Sequence, residues 1–400
     1  GTNGKGSTQA FLTAMLEAAG HRIGTFTSPS LEDFHELITL EGARITPAQA
    51  QPLALEAIQA AGSDGLTLFE LATAVAFLAF ARSRVALAVI EVGMGGRSDA
   101  TNLCDPEASI LTQVALEHQA ELGNTLEAIA WEKVGIARRG RPVITAADGK
   151  ALEQILQVCG SMGTPVDRIG GAFEAKREPS GLSYRSARWR LDGIELGLQG
   201  PHQAINAALA IRAVEWLERL ELPVSEAAVR QGLKAAVHPG RLEWLTGPDG
   251  LRVLVDGAHN PHGAQALAAA LEEMRLPRPR QVALAVYDDK DVEAMVRALA
   301  PQLDRLICTR TASPRCLPPE VLLERARPVL RDQGVLRDQE VLRDQGVLRA
   351  QWVLRDQGVL ERAPTLADAI ALFREAPEAS HVVCGSLSVV AEARRAVEGK

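Results

Sequence analysis

The first eight residues, G-T-N-G-K-G-S-T, form a glycine-rich segment that runs directly into a stretch with helical periodicity. In a turn of this kind, backbone N–H groups converge on phosphate oxygens, and the start of the following helix adds partial positive charge. Lys5 can then reach the terminal phosphates, and the hydroxyl of Ser7 can bind Mg²⁺. Gly6 separates these two residues, so the common pattern G-x-x-x-x-G-K-[ST] is not matched literally. The alternative is a glycine-rich turn before an ordinary helix.

Such a loop normally joins a buried strand to a helix, and the rest of the chain is typical of that architecture. Short apolar runs alternate with amphipathic stretches, which predicts an α/β fold. A strand before Gly1 is expected on the same ground. Helices are predicted over 7–19, 69–82 and 126–137, strands over 86–92, 109–114, 142–145, 251–255, 282–286, 305–309 and 381–384, and an antiparallel patch over 167–198.

The 400 residues are enough for two domains of ordinary size. A strong turn signal, G-P-D-G at 247–250, predicts a boundary there, with a first domain over 1–246 and a second over 247–400. Within the second domain, Val-Leu recurs every six residues between 329 and 360. This period fits neither a coiled coil nor an α-helix. We therefore interpret 328–360 as an inserted surface repeat, and a hexapeptide solenoid is the alternative.

Composition argues against several classes of protein. The net charge of -7, without a long basic run, disfavours a nucleic-acid binder. No uninterrupted apolar stretch of about 18 residues is present, which disfavours a membrane span. The five cysteines are scattered without a C-x-x-C pair, as is typical of reduced thiols, and no signal peptide is recognised. We therefore expect a cytoplasmic protein that binds neither nucleic acid nor membrane.

Polar side chains follow several of the predicted strands, where ligands bind in open α/β sheets. These residues are Ser28, Glu91 and His118. A carboxylate at the end of an apolar strand is costly unless it is paired or bound to a metal, so Glu91 is a candidate Mg²⁺ ligand. A salt bridge between Glu91 and Arg97 is the alternative, and a lone His118 is equally well explained as structural. Taken alone, Lys133 is best explained as a solvent-exposed helical lysine.

A second polar cluster, V-D-G-A-H-N-P-H-G at 255–263, follows another predicted strand. Polar groups crowded at a strand end before a turn indicate a site. Arg241, in the H-P-G-R segment at 238–241, can bridge from the domain junction to a phosphate or ribose. The alternative for either segment alone is a loop with a capping aspartate. Together with the phosphate loop, they favour a nucleotide held between two domains.

Eleven short motifs occur in a specific order along the chain. They are G-T-N-G-K-G-S-T at 1–8, F-T-S-P-S-L at 26–31, T-L-F-E at 67–70, E-V-G-M-G-G-R-S-D-A-T-N at 91–102, E-H-Q-A-E-L-G at 117–123, E-K-V-G-I at 132–136, H-Q-A-I-N-A-A at 202–208, H-P-G-R-L-E at 238–243, D-G-A-H-N-P-H-G at 256–263, D-K-D at 289–291 and C-G-S-L at 384–387. With these motifs the chain resembles the folylpolyglutamate synthase/dihydrofolate synthase branch of the Mur ligase superfamily. The resemblance covers nearly the whole chain outside the repeat.

The resemblance implies a P-loop, Mur-ligase-like central ATPase domain, a smaller Rossmann-like C-terminal domain, and specific residue roles. The residues that would hold the ATP phosphates are Asn3, Gly4, Lys5, Gly6 and Ser7. Those that would contact the rest of the nucleotide are Asn206, Arg241, Asp256 and His259. One Mg²⁺ would be bound by Ser7, Ser28 and Glu91, and a second by His118 and a carbamylated Lys133. The residues that would border the pterin site are Thr67, Phe69, Glu70, Ser98, Asp99 and Ala100.

The resemblance also implies the reaction. The γ-phosphoryl group of ATP would activate a carboxylate as an acyl phosphate, with Lys5, His118 and Lys133 as catalytic residues. The amine of L-glutamate would then attack, releasing ADP and phosphate. The carboxylate substrate would be dihydropteroate, a reduced folate, or both, and the protein is expected to be a monomer.

The chain departs from the family pattern at three places. Ser30 replaces a histidine, F-H-E-L at 34–37 lacks an arginine, and A-L-E-H at 115–118 replaces G-L-D-H. These departures concern the range of substrates rather than the class of reaction. Two alternative functions are a Mur-type ligase for a UDP-linked cell-wall precursor, which Gly6 and T-L-F-E disfavour, and a non-catalytic nucleotide-binding protein.

Overall fold

The structure is a computed structural model that describes residues 1–30, 33–336 and 359–399. Its contacts divide the chain into two compact units, Gly1–Leu198 with His202–His238, and Gln199–Pro201 with Pro239–Lys400. None of the described helices is long and apolar enough to cross a membrane.

The division between the units lies after His238, and the predicted boundary at 246 is therefore wrong. The reason is that Glu243–Thr246 is a strand of the second unit, paired antiparallel with Arg252–Asp256. The strong turn signal at 247–250 thus connects a hairpin within one sheet rather than two domains.

The first unit contains most of the predicted elements. Its helices are α1 (Lys5–Ala18), α2 (Pro47–Ala61), α3 (Leu68–Ser83), α4 (Gln119–Leu122), α5 (Leu126–Lys133), α6 (Gly149–Met162), α7 (Gln203–Leu217) and α8 (Glu226–Ala235). Its strands are β1 (Ile23–Phe26), β2 (Ile38–Leu40), β3 (Ala43–Arg44), β4 (Leu87–Ile90), β5 (Ser109–Leu111), β6 (Val143–Thr145), β7 (Val166–Arg168), β8 (Phe173–Glu178), β9 (Gly181–Ser186) and β10 (Arg190–Ile194). They form three sheets, ordered β3-β2-β1-β4, β5-β6-β7 and β10-β9-β8. The last sheet is the antiparallel patch predicted over 167–198.

Helix α1 lies at the centre of the first unit because one of its faces is entirely apolar. Phe11, Leu12, Met15 and Leu16 are buried, at the three- and four-residue spacings of one helical face. This face packs in the same core cluster as residues of α7 and α8. Gly232 of α8 allows the closest approach, since a Cβ there would lie 2.5 Å from the backbone nitrogen of Met15. The core thereby fixes the start of α1.

The described residues of the second unit form one six-stranded sheet, with helices in the order of a doubly wound fold. Its helices are α9 (Pro261–Met274), α10 (Val292–Leu299), α11 (Pro319–Asp332), α12 (Leu366–Arg374) and α13 (Leu387–Glu398). Its strands are β11 (Glu243–Thr246), β12 (Arg252–Asp256), β13 (Arg280–Leu284), β14 (Arg305–Cys308), β15 (Leu360–Arg362) and β16 (Ser380–Cys384). The order is β11-β12-β16-β13-β14-β15, parallel except for β11. This confirms the predicted Rossmann-like arrangement.

Most of the hexad repeat predicted over 328–360 lies outside the described residues, which omit 337–358. Its two ends belong to regular elements. Val329 and Leu330 are buried in α11, and Leu360 is 9% exposed in β15. The interpretation of the whole stretch as a surface insertion is therefore wrong at both ends, where its Val-Leu pairs contribute to the core.

His381 is buried in the middle of the second sheet and gives the fold a pH dependence. Its side chain stacks on Phe373 with a centroid distance of 4.5 Å, and neither ring nitrogen has a hydrogen-bond partner among the described residues. Burial lowers the pKa of His381 from 6.5 to about 4. The unfolded chain therefore binds a proton at this imidazole at a higher pH than the folded chain does. The free energy of unfolding keeps its full value above pH 6.5 and falls by about 3 kcal/mol as the pH drops toward 4.

We expect His381→Leu to flatten this loss of stability on acidification. The measurement is the free energy of unfolding of the variant and the native chain at pH 7 and pH 4.5. The half-buried His21, whose Nε2 atom lies 3.0 Å from the Pro223 carbonyl oxygen, provides a control through His21→Leu. An unchanged slope in His381→Leu would contradict the assignment.

Candidate functional site

Helix α1 begins at Lys5, two residues before the predicted start at 7. Gly4 precedes it with a φ of 87°, in the left-handed region that favours glycine. A Cβ on Gly4 would also overlap Oδ1 of Asn206, so the position excludes any side chain. Lys5 and Ser7 therefore lie in the first turn of α1, where unpaired N–H groups and the helix dipole attract phosphate. The predicted glycine turn and helix start are both present.

Gly6 also has no room for a side chain, which explains the glycine between Lys5 and Ser7. A Cβ on Gly6 would lie 2.5 Å from Nε2 of His238 and 3.4 Å from Oε2 of Glu91. The imidazole of His238 and the carboxylate of Glu91 therefore both stand directly against the loop.

Ser7 is supported by the first turn of α7. It is 4% exposed, and its Oγ atom accepts a hydrogen bond from Nε2 of Gln203 at 3.4 Å. Oε1 of Gln203 accepts from Nδ2 of Asn206 at 2.9 Å. Sequence reasoning named Asn206 and missed Gln203. Gln203 could have been found from its position three residues before Asn206 in H-Q-A-I-N-A-A, which places both side chains on the same helical face.

Glu91 follows β4 directly and is 8% exposed. Its Oε2 atom accepts a hydrogen bond from the hydroxyl of Thr27 at 3.0 Å. Arg97, the partner considered in the alternative explanation, has contacts elsewhere: its guanidinium lies 3.8 Å above the Trp131 ring and donates to the Trp131 carbonyl oxygen at 3.1 Å. The salt bridge between Glu91 and Arg97 is therefore not formed, and a metal-ligand role for Glu91 stays a prediction.

Lys133 is 5% exposed, so its explanation as a solvent-exposed lysine is wrong. Its Nζ atom donates to the Gly1 carbonyl oxygen at 3.3 Å. Burial, followed by the positive charge of Lys5, lowers the pKa of Lys133 from 10.5 to about 8, against an opposing effect of Glu117. A substantial fraction of its amine is therefore neutral near physiological pH.

A cavity of about 320 Å³ brings Lys5, Glu91 and Lys133 together in its wall. Ser28 and His118 do not line this cavity. Ser28 is half-buried after β1, and His118 is exposed, with a φ of 51°, immediately before α4. The structure thus groups three of the six predicted metal and catalytic positions in this wall, and the roles of Ser28 and His118 stay predictions.

The donor set around the loop fits Mg²⁺ rather than a softer metal. Within residues 1–30, 33–336 and 359–399, no group of three His, Cys, Asp or Glu side chains is placed to hold a metal ion. Mg²⁺ commonly takes one or two carboxylates, keeps several waters and uses substrate phosphates as further ligands. The hydroxyl of Ser7 and the carboxylate of Glu91, both beside the glycine loop, match that requirement.

The glycine segment 93–97 packs against the end of α5 and so positions Lys133. A Cβ on Gly96 would lie 2.8 Å from the Lys133 carbonyl oxygen and 3.0 Å from that of Glu132. The backbone nitrogen of Arg97 donates to the Glu132 carbonyl oxygen at 2.9 Å. The close approach of the two backbones therefore depends on glycine at position 96.

We expect Gly96→Ala to lower the free energy of unfolding by about 2 kcal/mol, because the added methyl group meets rigid backbone. Gly160→Ala is the matched control. Gly160 lies exposed in α6, and a Cβ there meets no atom within 4 Å. In a helix this control change should stabilise by about 0.5–1 kcal/mol. Thermal unfolding of both variants tests the packing, and equal midpoints would contradict it.

The residues predicted to border the pterin site have structural partners of their own. Thr67 caps α3, and Oε2 of Glu70 accepts from its backbone nitrogen at 2.8 Å and its hydroxyl at 2.7 Å. These hydrogen bonds lower the pKa of the Glu70 carboxyl. The pattern T-x-x-E is a capping-box signature that sequence reasoning missed. Phe69 packs its ring against Phe26, with centroids 5.8 Å apart.

The second group of predicted pterin residues lies in the turn after the glycine segment. Asp99 accepts hydrogen bonds from the backbone nitrogens of Met94 at 2.9 Å and Thr101 at 3.0 Å, and so holds this turn. Ser98 is exposed and Ala100 half-buried. Contact of any of these residues with a pterin stays a prediction.

In the second unit, Asp256 holds the turn that follows β12. Its carboxylate oxygens accept from the backbone nitrogens of Leu242 at 3.0 Å and Ala258 at 2.9 Å, and burial raises its pKa. Nδ1 of His259 lies 2.8 Å from the Gly257 carbonyl oxygen. The guanidinium of Arg241 also lies against this turn, since a Cβ on Gly257 would be 2.9 Å from its Nη1 atom. Asp256 therefore caps this turn, as in the alternative explanation of a loop with a capping aspartate. Contact of Asp256, His259 and Arg241 with a nucleotide stays a prediction.

Comparison with known proteins was consistent with this arrangement. The model of the Mur ligase middle domain matches residues 1–214, and that of the Mur ligase glutamate ligase domain matches residues 240–387. A dihydrofolate synthase/folylpolyglutamate synthase of Bacillus subtilis is 36% identical over 313 residues, which are 75% of this chain and 72% of that protein. The chain belongs to the folylpolyglutamate synthase/dihydrofolate synthase branch of the Mur ligases. A folylpolyglutamate synthase of Lacticaseibacillus casei is 35% identical over 80% of this chain and 77% of its own length.

Solved structures of this family share the fold. Escherichia coli FolC in complex with DHPP and ADP gives a TM-score of 0.83 at 29% identity, covering 98% of this chain and 86% of that one. Mycobacterium tuberculosis folylpolyglutamate synthase complexed with ADP and AMPPCP gives 0.84 at 31% identity, covering 100% and 90%. A bifunctional folylpolyglutamate synthase/dihydrofolate synthase with Mn, AMPPNP and L-glutamate bound gives 0.82 at 27% identity, covering 99% and 87%. The predicted α/β Mur-ligase fold is confirmed.

Proposed function

We propose that this chain is a ligase that uses ATP to join L-glutamate to dihydropteroate, to a reduced folate, or to both. The observation that carries the proposal is the glycine loop at the start of α1, with Lys5 within it and the buried Glu91 carboxylate against it. Relatives of the chain are named for both reactions, and their solved structures hold ADP with DHPP, or AMPPNP with L-glutamate.

In this proposal the loop binds the triphosphate of ATP. The first-turn N–H groups of α1 contact the phosphate oxygens together with Asn3, Gly4 and Gly6, and Lys5 neutralises charge on the γ-phosphoryl group. Ser7, Glu91 and Ser28 would hold one Mg²⁺, which would supply electrostatic stabilisation to the transferring phosphoryl group. The roles of Asn206, Arg241, Asp256 and His259 are to contact the rest of the nucleotide.

Lys133 is proposed to carry a carbamate and, with His118, to hold a second metal ion. The neutral Nζ amine attacks the carbon of CO₂, and a C–N bond forms as the π electrons of one C=O bond move onto oxygen. The nitrogen then loses a proton to solvent, which leaves a negatively charged carbamate. The low pKa of Lys133, about 8, supports this step because only the unprotonated amine is a nucleophile. The modification would also turn a buried cation beside Lys5 into an anion, which removes their repulsion.

The chemical steps follow from the poor reactivity of a carboxylate toward amines. One carboxylate oxygen of the pteroate or folate attacks the γ-phosphorus, the bond to ADP breaks, and an acyl phosphate results. The neutral amine of L-glutamate then attacks the acyl carbon and loses one proton to solvent as the amide forms, and phosphate departs with the electron pair of the broken C–O bond. Lys5 stabilises the charge that develops in the first step. Thr67, Phe69, Glu70, Ser98, Asp99 and Ala100 are proposed to border the pterin ring.

The test is an ADP-release assay with L-glutamate that compares dihydropteroate with tetrahydrofolate. We expect ADP to appear only when glutamate and one of these two substrates are both present, with one glutamylated product per ADP. Release that is indifferent to glutamate and to both substrates would reject the proposal. ATP binding without turnover would instead favour a non-catalytic nucleotide-binding protein.

A further inference from the structure

Gln9 of α1 donates two hydrogen bonds to the backbone of the neighbouring strands β1 and β4. Its Nε2 atom lies 2.7 Å from the Phe26 carbonyl oxygen and 2.8 Å from the Val89 carbonyl oxygen. A side-chain amide carries two N–H groups, and carbonyl oxygens only accept, so both donors of Gln9 are used at these positions. Phe26 is the last residue of β1, and Val89 is the residue before the last in β4. One side chain thus ties α1 to the carboxyl ends of two paired strands.

The two strand ends that Gln9 contacts lead directly to predicted metal ligands. Ser28 comes two residues after Phe26, and Glu91 comes two residues after Val89. The Phe26 carbonyl oxygen also accepts a hydrogen bond from the backbone nitrogen of Glu91 at 2.8 Å. Gln9 and the backbone of Glu91 are therefore joined through one shared oxygen atom.

Gln9 also belongs to the helix that begins with the phosphate loop. It follows Ser7 by two residues and Lys5 by four, so it lies one helical turn from Lys5 on the same face. An α-helix is stiff over one turn, because backbone hydrogen bonds connect each residue to the one four positions before it. The two bonds of Gln9 therefore also fix where the first turn of α1 stands relative to the strand ends.

The other contacts between α1 and these strands are less directional. Phe11 of α1 belongs to the same core cluster as Ile23 of β1 and Val89 of β4. Apolar contacts of this kind have no preferred direction. A hydrogen bond requires a donor–acceptor distance of about 2.7–3.2 Å and a nearly straight angle at the hydrogen. The bonds of Gln9 therefore define the position of α1 along β1 and β4 more sharply than the apolar contacts do.

We propose that Gln9 is a positioning residue for the Mg²⁺–nucleotide complex, because it sets the distance between Ser7 on α1 and Glu91 after β4. This inference rests on the proposed function, in which Ser7, Ser28 and Glu91 would hold one Mg²⁺. Mg²⁺ requires near-ideal octahedral geometry with oxygen ligands at about 2.0–2.1 Å, so its binding is sensitive to the placement of both elements. Ca²⁺ accepts longer and more variable distances of about 2.3–2.6 Å and is a less demanding probe of the same residues.

The experiment measures the affinity of the full chain for a non-hydrolysable ATP analogue by titration calorimetry, with Mg²⁺, with Ca²⁺ and without a divalent metal ion. Gln9→Met keeps the length of the side chain and removes both donors, and Gln9→Ala repeats the test without a long side chain. We expect both variants to weaken binding of the Mg²⁺–nucleotide complex at least about fivefold. Binding of the Ca²⁺ complex should change less than about twofold, and binding of the metal-free analogue should be unchanged.

The matched control is Gln157→Met, at an exposed glutamine in α6. This variant should keep the native affinity for all three forms of the nucleotide. The thermal midpoints of the two Gln9 variants should fall by only a few degrees, because the Phe26 carbonyl oxygen keeps its hydrogen bond from Glu91. A lower midpoint with unchanged Mg²⁺–nucleotide affinity would overturn the proposal, since that is the behaviour of a purely structural glutamine.

A double-mutant cycle tests whether Gln9 acts through Glu91. In a chain that already carries Glu91→Gln, the further change Gln9→Met should weaken Mg²⁺–nucleotide binding less than about twofold. An equal loss of affinity in the two backgrounds would overturn the proposal. If Glu91→Gln weakens binding of the Mg²⁺ complex and the Gln9 variants do not, the inference about Gln9 fails alone. If neither change weakens it, the proposed metal site fails as well.

Discussion

The variant Lys5→Ala is expected to release ADP at least about 10³-fold more slowly than the native chain, with either folate substrate. Lys5 lies in the first turn of α1, between two glycines that allow no side chain at Gly4 or Gly6. Its ammonium group is the cation that this loop can direct at the γ-phosphoryl group. Alanine removes the positive charge that stabilises the negative charge developing on the phosphoryl group during transfer. The variant therefore destabilises the transition state rather than the folded chain.

The matched control is Lys150→Ala. The Lys150 side chain is 72% exposed at the start of α6, where it pairs with Glu127. This variant should keep native kcat and KM. The thermal midpoint of Lys5→Ala should also stay near that of the native chain, because the hydrogen bond that Lys5 donates to the Thr2 carbonyl oxygen is long, at 3.3 Å. Retained ADP release by folded Lys5→Ala would overturn the assignment of the phosphate loop.

Replacement of Lys133 by arginine should lower turnover by at least about 10²-fold, although the positive charge is kept. Arginine cannot lose its proton at neutral pH and so cannot form a carbamate. In the native chain, burial and the charge of Lys5 hold the pKa of Lys133 at about 8. The reactive neutral fraction therefore grows as the pH rises through 8, and turnover at fixed dissolved CO₂ should rise over the same range.

The carbamate itself can be observed by NMR with ¹³C-labelled bicarbonate. The native chain should show a carbamate resonance that is absent in Lys133→Arg, and removal of CO₂ should lower native turnover but not that of the variant. Lys234→Arg is a control at a lysine that is exposed and paired with Glu195. Full activity of Lys133→Arg would contradict a role for the carbamate.

The features that sequence predicted well are those encoded by a few neighbouring residues. The glycine loop, the apolar face of α1 and the position of Glu91 at the end of β4 all follow from local pattern. The strands of the second unit were also found, because buried parallel strands are short apolar runs between turn signals. Such features depend little on the rest of the fold.

The features that sequence missed depend on packing between distant segments. Lys133 is buried because the glycine segment 93–97 lies against the end of α5, a contact that no local pattern contains. The domain boundary was placed at 246 because a hairpin turn and a linker share the same residues, G-P-D-G. The capping box of Thr67 and Glu70 can be predicted from its T-x-x-E spacing, but the family resemblance points to a pterin-binding role for the same residues.

In the proposed site, the loop at Lys5 and the carboxylate of Glu91 together hold ATP and its metal ion. Electron paramagnetic resonance of Mn²⁺ measures this directly, by titrating the chain with Mn²⁺ and a non-hydrolysable ATP analogue. We expect Glu91→Gln to weaken binding of the Mn²⁺–nucleotide complex at least about tenfold while binding of the metal-free nucleotide is unchanged. Equal affinity of the native chain and Glu91→Gln for the Mn²⁺–nucleotide complex would contradict the claim.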